Sequence, residues 1–298
     1  MTRSSRPLHA ADQADGLRRM FAGAQAALVP LVANPHVARH GALLARLAGA
    51  FAEQGLNTLV VDAADTAPEP GELAFIDLAG CVETLGPSLA YLAARDLPMK
   101  HVDTHGSCAA FIPQMMGLVP GIDVLVMHAE ARVLARMLGG RELRPLVLCS
   151  AERGALTHAY ASVKLMQQRL GLTSFDLLQP QLRRGPRPQQ IADRLADTAD
   201  RFIGLALRDW AAIDPDQAFG LPASADLQRL AGGQLALSDA AQGHAPPSPR
   251  PALRTMNPTP PLHASASAAR AELPPHDALW RPAPALPMYA GASAPVNA

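Results

Sequence analysis

Residues 32–65, VANPHVARHGALLARLAGAFAEQGLNTLVVDAAD, constrain this chain more than any other stretch, because they pass from strand to helix and back within one short unit. An apolar run from Ala27 to Ala33 enters a turn. Leu43, Leu44, Leu47 and Phe51 then recur at spacings of three and four, which predicts a helix over 39–54 with one apolar face. A second apolar run, Thr58 to Val61, ends on Asp62. The same alternation continues to about residue 215, with further strands expected over 98–103, 122–127, 144–149 and 173–178 and helices over 155–170 and 188–206. In the last of these Pro188 suits a first turn, and Ile191, Leu195 and Phe202 share a face. Runs such as IDVLVM and RPLVLC lack polar alternation, as expected of strands covered on both sides and therefore parallel. The fold class this predicts is α/β: a doubly wound, mostly parallel sheet with its ligand crevice at the C-terminal ends of the strands.

Composition sets the limits of that domain. The chain has 298 residues, 49% of them hydrophobic, so material for a core is ample; only 4% are aromatic, so the core is one of Leu, Val and Ala. Three segments are expected: a polar arm over 1–25, the α/β domain over 26–215, and a Pro/Ala-rich tail over 216–298 that reads as disordered, because repeated prolines fix φ and remove donors. Zero net charge gives no electrostatic footprint for nucleic acid. Cys81, Cys108 and Cys149 form no CxxC pair and read as thiols of a reducing compartment. The first residues carry no apolar signal-like core, and no apolar run approaches the roughly 20 residues that span a bilayer. A cytoplasmic protein is expected. The late segment SADLQRLAGGQLAL suggests a weak helix docking on the domain; neither it nor WRPAPALPMYAG has a cationic face opposite a broad apolar one, so autonomous membrane binding is not expected.

The turn NPHVARHG occupies the place of a phosphate-binding loop without its parts. Such a loop needs glycines so that backbone N–H groups converge, a lysine for the terminal phosphates and a hydroxyl for Mg²⁺. Here Pro35 removes a donor, His36, Val37 and Ala38 stand where permissive backbone is required, and Arg39 or His40 falls at the lysine position. Neither His40 nor Gly41 supplies the hydroxyl.

The order of strand, loop, long helix ending EQG and then LVVDAAD resembles the MinD/ParA group of deviant P-loop ATPases. Two further stretches are similar to its flagellar-number regulators, the FlhG/FleN type: DQADGLRRMF (Asp12 to Phe21) matches DQAxxLR, and CSAERGALTHAYASVKLMQQRLG matches the strand-TPEPTALTDAYALIK-helix stretch, with His158 at the usual Asp. The resemblance covers roughly 11–215 and implies a P-loop NTPase fold, with a second acidic motif at the end of the strand beginning at Asp123. That strand delivers Met127 or His128 instead of the Walker B-like aspartate. Asp62 and Asp65 remain, but without lysine, hydroxyl and second acid they repel phosphate rather than assist its hydrolysis. Arg39, His40, Asp62, Asp65 and His128 thus form a degenerate site, catalytic residues are absent from it, and ATP with Mg²⁺ is a cofactor only if the altered turn still binds. The implied protein is a pseudo-ATPase regulating flagellar number and assembly, cytoplasmic and recruited to the cell pole through a partner.

The arm is the segment whose function survives that loss. Asp12 can cap a helix whose Ala14, Leu17 and Phe21 share a face, while Gly16 costs about 1 kcal/mol of helicity relative to Ala. A helix that short folds best on a partner. The resemblance implies that Asp12, Gln13, Leu17, Arg18 and Phe21 dock on an FlhF-type GTPase of the signal-recognition family and stimulate it. The alternative class is an enzyme. It would be either a residual ATPase with an unconventional loop, or a metal-dependent hydrolase at MKHVDTHGSC, where His101, Asp103 and His105 recur at period two on one face of the expected strand.

Overall fold

In the computed structural model, residues 26–152, 154–181, 185–217 and 221–243 are described. Eight strands form one sheet, in the order β3-β4-β2-β5-β1-β6-β7-β8. They are β1 (Ala27–Val32), β2 (Thr58–Asp62), β3 (Glu83–Gly86), β4 (Leu89–Ala93), β5 (Val124–Ala129), β6 (Leu146–Leu148), β7 (Ser174–Pro180) and β8 (Ala206–Ile213). Every neighbouring pair is parallel except β3 with β4. The α/β, doubly wound, mostly parallel class expected from the alternation is the class observed.

Both faces of the sheet are buried, as a parallel sheet requires. Successive residues of β2 divide between them: Leu59 and Val61 join one core, Val60 the other. On the first face the strands meet α3 (Phe111–Met116), α4 (Ala131–Met137), α5 (Ala155–Leu170) and α6 (Pro188–Ile203), through Phe111, Leu134, Val163 and Leu195. On the second they meet α1 (His40–Ala52) and α7 (Ala225–Gly243), through Leu43, Leu47, Phe51, Leu227 and Leu230. The apolar stripe read in α1 is the stripe that is buried. A short α2 (Leu97–Lys100) completes the helices used below.

Three expectations are corrected, and strands that the sequence did not suggest are added. The strand placed at 98–103 does not exist. Leu97–Lys100 is helical, because Pro98 lacks a donor for a ladder but suits a first turn. The strand of that region is instead LAYLA, residues 89–93, paired with β2. Strand β8 was not anticipated, since its burial alternates imperfectly along an edge. The packed domain also passes the boundary at 215. Helix α7 buries Leu227, Leu230 and Ala231, and its Gln234 donates to Asp176 Oδ2 at 2.7 Å. Of its two glycines only Gly233 has a close neighbour: a Cβ there would stand 3.3 Å from the Arg144 guanidinium, whereas one at Gly232 would meet nothing within 4 Å. Phe202, finally, is 67% exposed. It shares the azimuth of Ile191 and Leu195 but lies in the last turn of α6, with the Arg201 guanidinium 5.6 Å from its ring centre. No helix among the described residues is long and apolar enough to cross a membrane.

Candidate functional site

Three central strands deliver the site. Asp62 ends β2, His128 is the penultimate residue of β5 directly opposite it in the register, and Asn34 follows β1. His128 Nδ1 lies 2.7 Å from Asp62 Oδ1, and the two residues are 1% and 3% exposed. The Tyr91 hydroxyl from β4 donates to Asp62 Oδ2 at 3.3 Å, and the Ala64 amide donates to Oδ1 at 3.3 Å. Burial alone raises the Asp62 carboxyl, but the hydrogen bond to His128 and that ring's charge outweigh it, so the group is held below the usual carboxylate value. Burial, and then the adjacent carboxylate, push the Tyr91 phenol up.

The first residue of α1 closes this cluster. The His40 ring lies 5.6 Å from that of His128, and burial followed by the nearby His128 lowers its pKa. His128 Nε2 is buried with no hydrogen-bond partner among the described residues. The Asp62 carboxylate fixes the orientation of the ring through Nδ1.

The turn between β1 and α1 is held by its own side chains. Asn34 Nδ2 donates to the carbonyls of Leu148 at 2.9 Å and Ala155 at 3.0 Å, and its Oδ1 accepts the His36 amide at 3.1 Å. The Val37 amide donates to the Asn34 carbonyl at 3.0 Å. Ser150 Oγ donates to the His36 carbonyl at 3.1 Å. Two of the amides that a phosphate would need are therefore consumed inside the turn. The His36 imidazole fills the space above Gly154, where φ is +95° and a Cβ would stand 3.3 Å from the ring. It meets His158 edge-on at 5.9 Å; burial, then His36, lower the His158 pKa.

The remaining candidates are committed elsewhere. Arg39 adopts a left-handed backbone, φ 60°, before α1. Its guanidinium pairs with Asp216 and donates to the Pro215 carbonyl at 2.9 Å, so it is tied to the loop after β8. Asp65 binds Arg132 through both oxygens, at 3.0 and 2.8 Å, and its amide donates to Glu130 Oε1 at 2.7 Å. Of the five residues of the degenerate site, His40, Asp62 and His128 come together; Arg39 and Asp65 do not join them.

At MKHVDTHGSC the expected strand is absent, so period-two spacing places nothing on a common face. Asp103 closes the loop instead, accepting the amides of His105 at 2.8 Å and Ser107 at 2.9 Å, and these bonds hold its carboxyl low. The His101 ring packs 5.3 Å from that of Phe111, and His105 is exposed. Among the described residues no three His, Cys, Asp or Glu side chains are placed to share a metal ion. Cys108 is buried, and burial raises its thiol pKa. The arm residues Asp12, Gln13, Leu17, Arg18 and Phe21 lie outside the described residues. Asn34 and Tyr91 were missed in the sequence: Asn34 stood beside the loop residues, and Tyr91 sat inside an apolar run that had not been read as a strand.

No family model matches the sequence, and no curated protein matches it significantly. Solved structures are similar in the course of the chain. A ParA family ATPase from Chlorobium tepidum TLS is 14% identical, over 75% of this chain and 94% of that one, with a TM-score of 0.44. The MinD cell division protein of Aquifex aeolicus is 12% identical over 76% and 100%, with a TM-score of 0.44. A putative plasmid partition protein from Borrelia burgdorferi B31, bound to AMPPNP, is 12% identical over 72% and 98%, with a TM-score of 0.47. Likenesses at this level concern chain path and say nothing of chemistry.

Proposed function

We propose that this protein is a regulator on a MinD/ParA-like scaffold that has given up ATP turnover and acts in flagellar assembly through protein contacts. The observation that carries the loss of turnover is the buried Asp62–His128 pair, 2.7 Å apart, at the strand ends where magnesium-assisted phosphoryl transfer requires acids free to face the ion. The self-bonded turn at Asn34 and the engagement of Arg39 by Asp216 support the same reading. The flagellar assignment rests on the resemblance of DQADGLRRMF and ALTHAYASVK to the FlhG/FleN type. In this reading Asp12, Gln13, Leu17, Arg18 and Phe21 engage an FlhF-type GTPase.

Two measurements test it. Calorimetry of the full chain with ATP or ADP and Mg²⁺ is expected to give no saturable heat; micromolar binding abolished by Arg39→Ala and by His40→Ala would overturn the loss of the site and favour a residual ATPase. Deletion of residues 1–25 is expected to abolish stimulation of the partner GTPase. Unchanged stimulation by the truncated chain would remove the arm from the mechanism.

A further inference from the structure

A cavity beside the His40–Asp62–His128 cluster, lined by none of those three residues, lies where β2, β4 and β5 run out into their loops. It measures about 340 Å³, within the range of small-molecule pockets. Asp65 and Asp96 on its wall follow β2 and β4, and Arg132 and Arg136 come from α4 one turn apart; Met99 and Val133 add apolar surface. Open α/β sheets take their ligands outside the carboxyl ends of the strands, which is where this cavity sits.

The charges of the wall are not equivalent. Asp65 and Arg132 neutralise each other through a two-point contact. Asp96 and Arg136 differ: among the described residues neither the Asp96 carboxylate nor the Arg136 guanidinium has a hydrogen-bond or ion-pair partner. Both residues are exposed, so one solvated charge of each sign without a partner among the described residues lines one open cavity. Asp96 also carries a cost. Its φ is +62°, left-handed backbone in a non-glycine residue, and its side chain makes no capping bond to α2 that would repay the strain. Backbone strain of this kind collects at ligand clamps.

We infer that this cavity binds a free α-amino acid, its carboxylate on Arg136 and its ammonium on Asp96. The chemistry selects a zwitterion. A simple anion would meet Arg136 but face two carboxylates, and a simple cation would meet Asp96 but face two guanidinium groups. A planar carboxylate matches the fork of Arg136, and the volume holds a side chain beside Met99 and Val133. The inference does not depend on the fate of the nucleotide site, since the two share no residue other than Asp65, whose carboxylate is already paired.

The test uses the full chain. Each of the twenty L-amino acids is screened by thermal shift at millimolar concentration, with succinate, inorganic phosphate and putrescine as single-sign probes, and hits are quantified by calorimetry. At least one amino acid is expected to bind saturably, and Arg136→Gln and Asp96→Asn are each expected to weaken it by roughly tenfold or more. Asp96→Gly separates ligand binding from folding: it fits the left-handed backbone, so its melting temperature is expected to hold or rise while binding is lost. No saturable amino-acid binding overturns the inference. So does binding of succinate, phosphate or putrescine as tight as that of any amino acid, or binding that survives Asp96→Gly unchanged.

Discussion

Replacing His128 with leucine isolates the energetics of the central pair. His128→Leu removes the closest partner of a carboxylate that is 3% exposed, leaving Asp62 with contacts from the Tyr91 hydroxyl and the Ala64 amide, both at the long distance of 3.3 Å. Removing the hydrogen-bond partner of a buried carboxylate strands that charge, at a cost of about 3 kcal/mol. Adding Asp62→Asn removes the stranded charge while keeping the shape, so the double variant is expected to recover to within about 2 kcal/mol of the wild type. The sign of the pH dependence follows from the carboxyl. In the wild type the folded-state value of Asp62 is depressed, so its stabilisation is present above the unfolded value of 3.8 and lost as pH falls through the folded value. In His128→Leu burial acts on the group against only the weak donors and the neighbouring His40, so its folded-state value rises, and the penalty grows as pH rises through it. The gap between wild type and variant therefore closes toward acid. Urea midpoints by circular dichroism at neutral and mildly acidic pH measure this, provided the slopes agree. A His128→Leu penalty below about 1 kcal/mol at neutral pH, or a double variant no better than the single, would refute the claim that His128 compensates the buried Asp62 carboxylate.

The other perturbations address neighbouring features. His40 and His158 are held below the ordinary value of 6.5, mainly by burial, so they stabilise the fold above that pH and the contribution is lost as pH falls through their folded-state values. Melting temperatures taken between about pH 7.5 and about pH 5.5 are expected to fall toward acid, and to fall less in His40→Gln and His158→Gln. Arg144→Met leaves Asp176, which is 0% exposed, with the Gln234 amide group as its remaining side-chain partner. A loss of about 3 kcal/mol is expected, with faster amide exchange in α7; unchanged exchange there would deny the link between helix and sheet. Arg39→Gly trades an exposed ion pair worth less than about 1 kcal/mol for relief of left-handed strain of about 1–2 kcal/mol, so its midpoint is expected to hold or rise. A clear loss would mean that the Asp216 contact matters more than its exposure suggests.

How much of this was legible in advance depended on whether the signal was local. Helix α1 announced itself through Leu43, Leu47 and Phe51, and α5 was read residue for residue, because a helix that buries one face must repeat every three to four residues. The strand at 98–103 was misplaced because a short apolar run reads alike in strand and helix, and Pro98 decided the matter only through the turn it starts. The boundary at 215 falls short although SADLQRLAGGQLAL suggests a docking helix, because how much that helix buries, through Leu227, Leu230 and Ala231, is visible only in the fold.

By itself the sequence determined the α/β class, the two-sided burial of the sheet and a turn after β1 without the glycines, lysine and hydroxyl of a phosphate-cradling loop, since each follows from periodicity or from the composition of one short segment. Only the tertiary structure decided what stands in that loop's place. Asp62, Tyr91 and His128 come from three strands that pair side by side, and their distances are set by register, a property of the pairing between strands. The fate of Arg39 and Asp65 was settled in the same way, by Asp216 and Arg132, partners far away in the chain that no spacing rule connects to them.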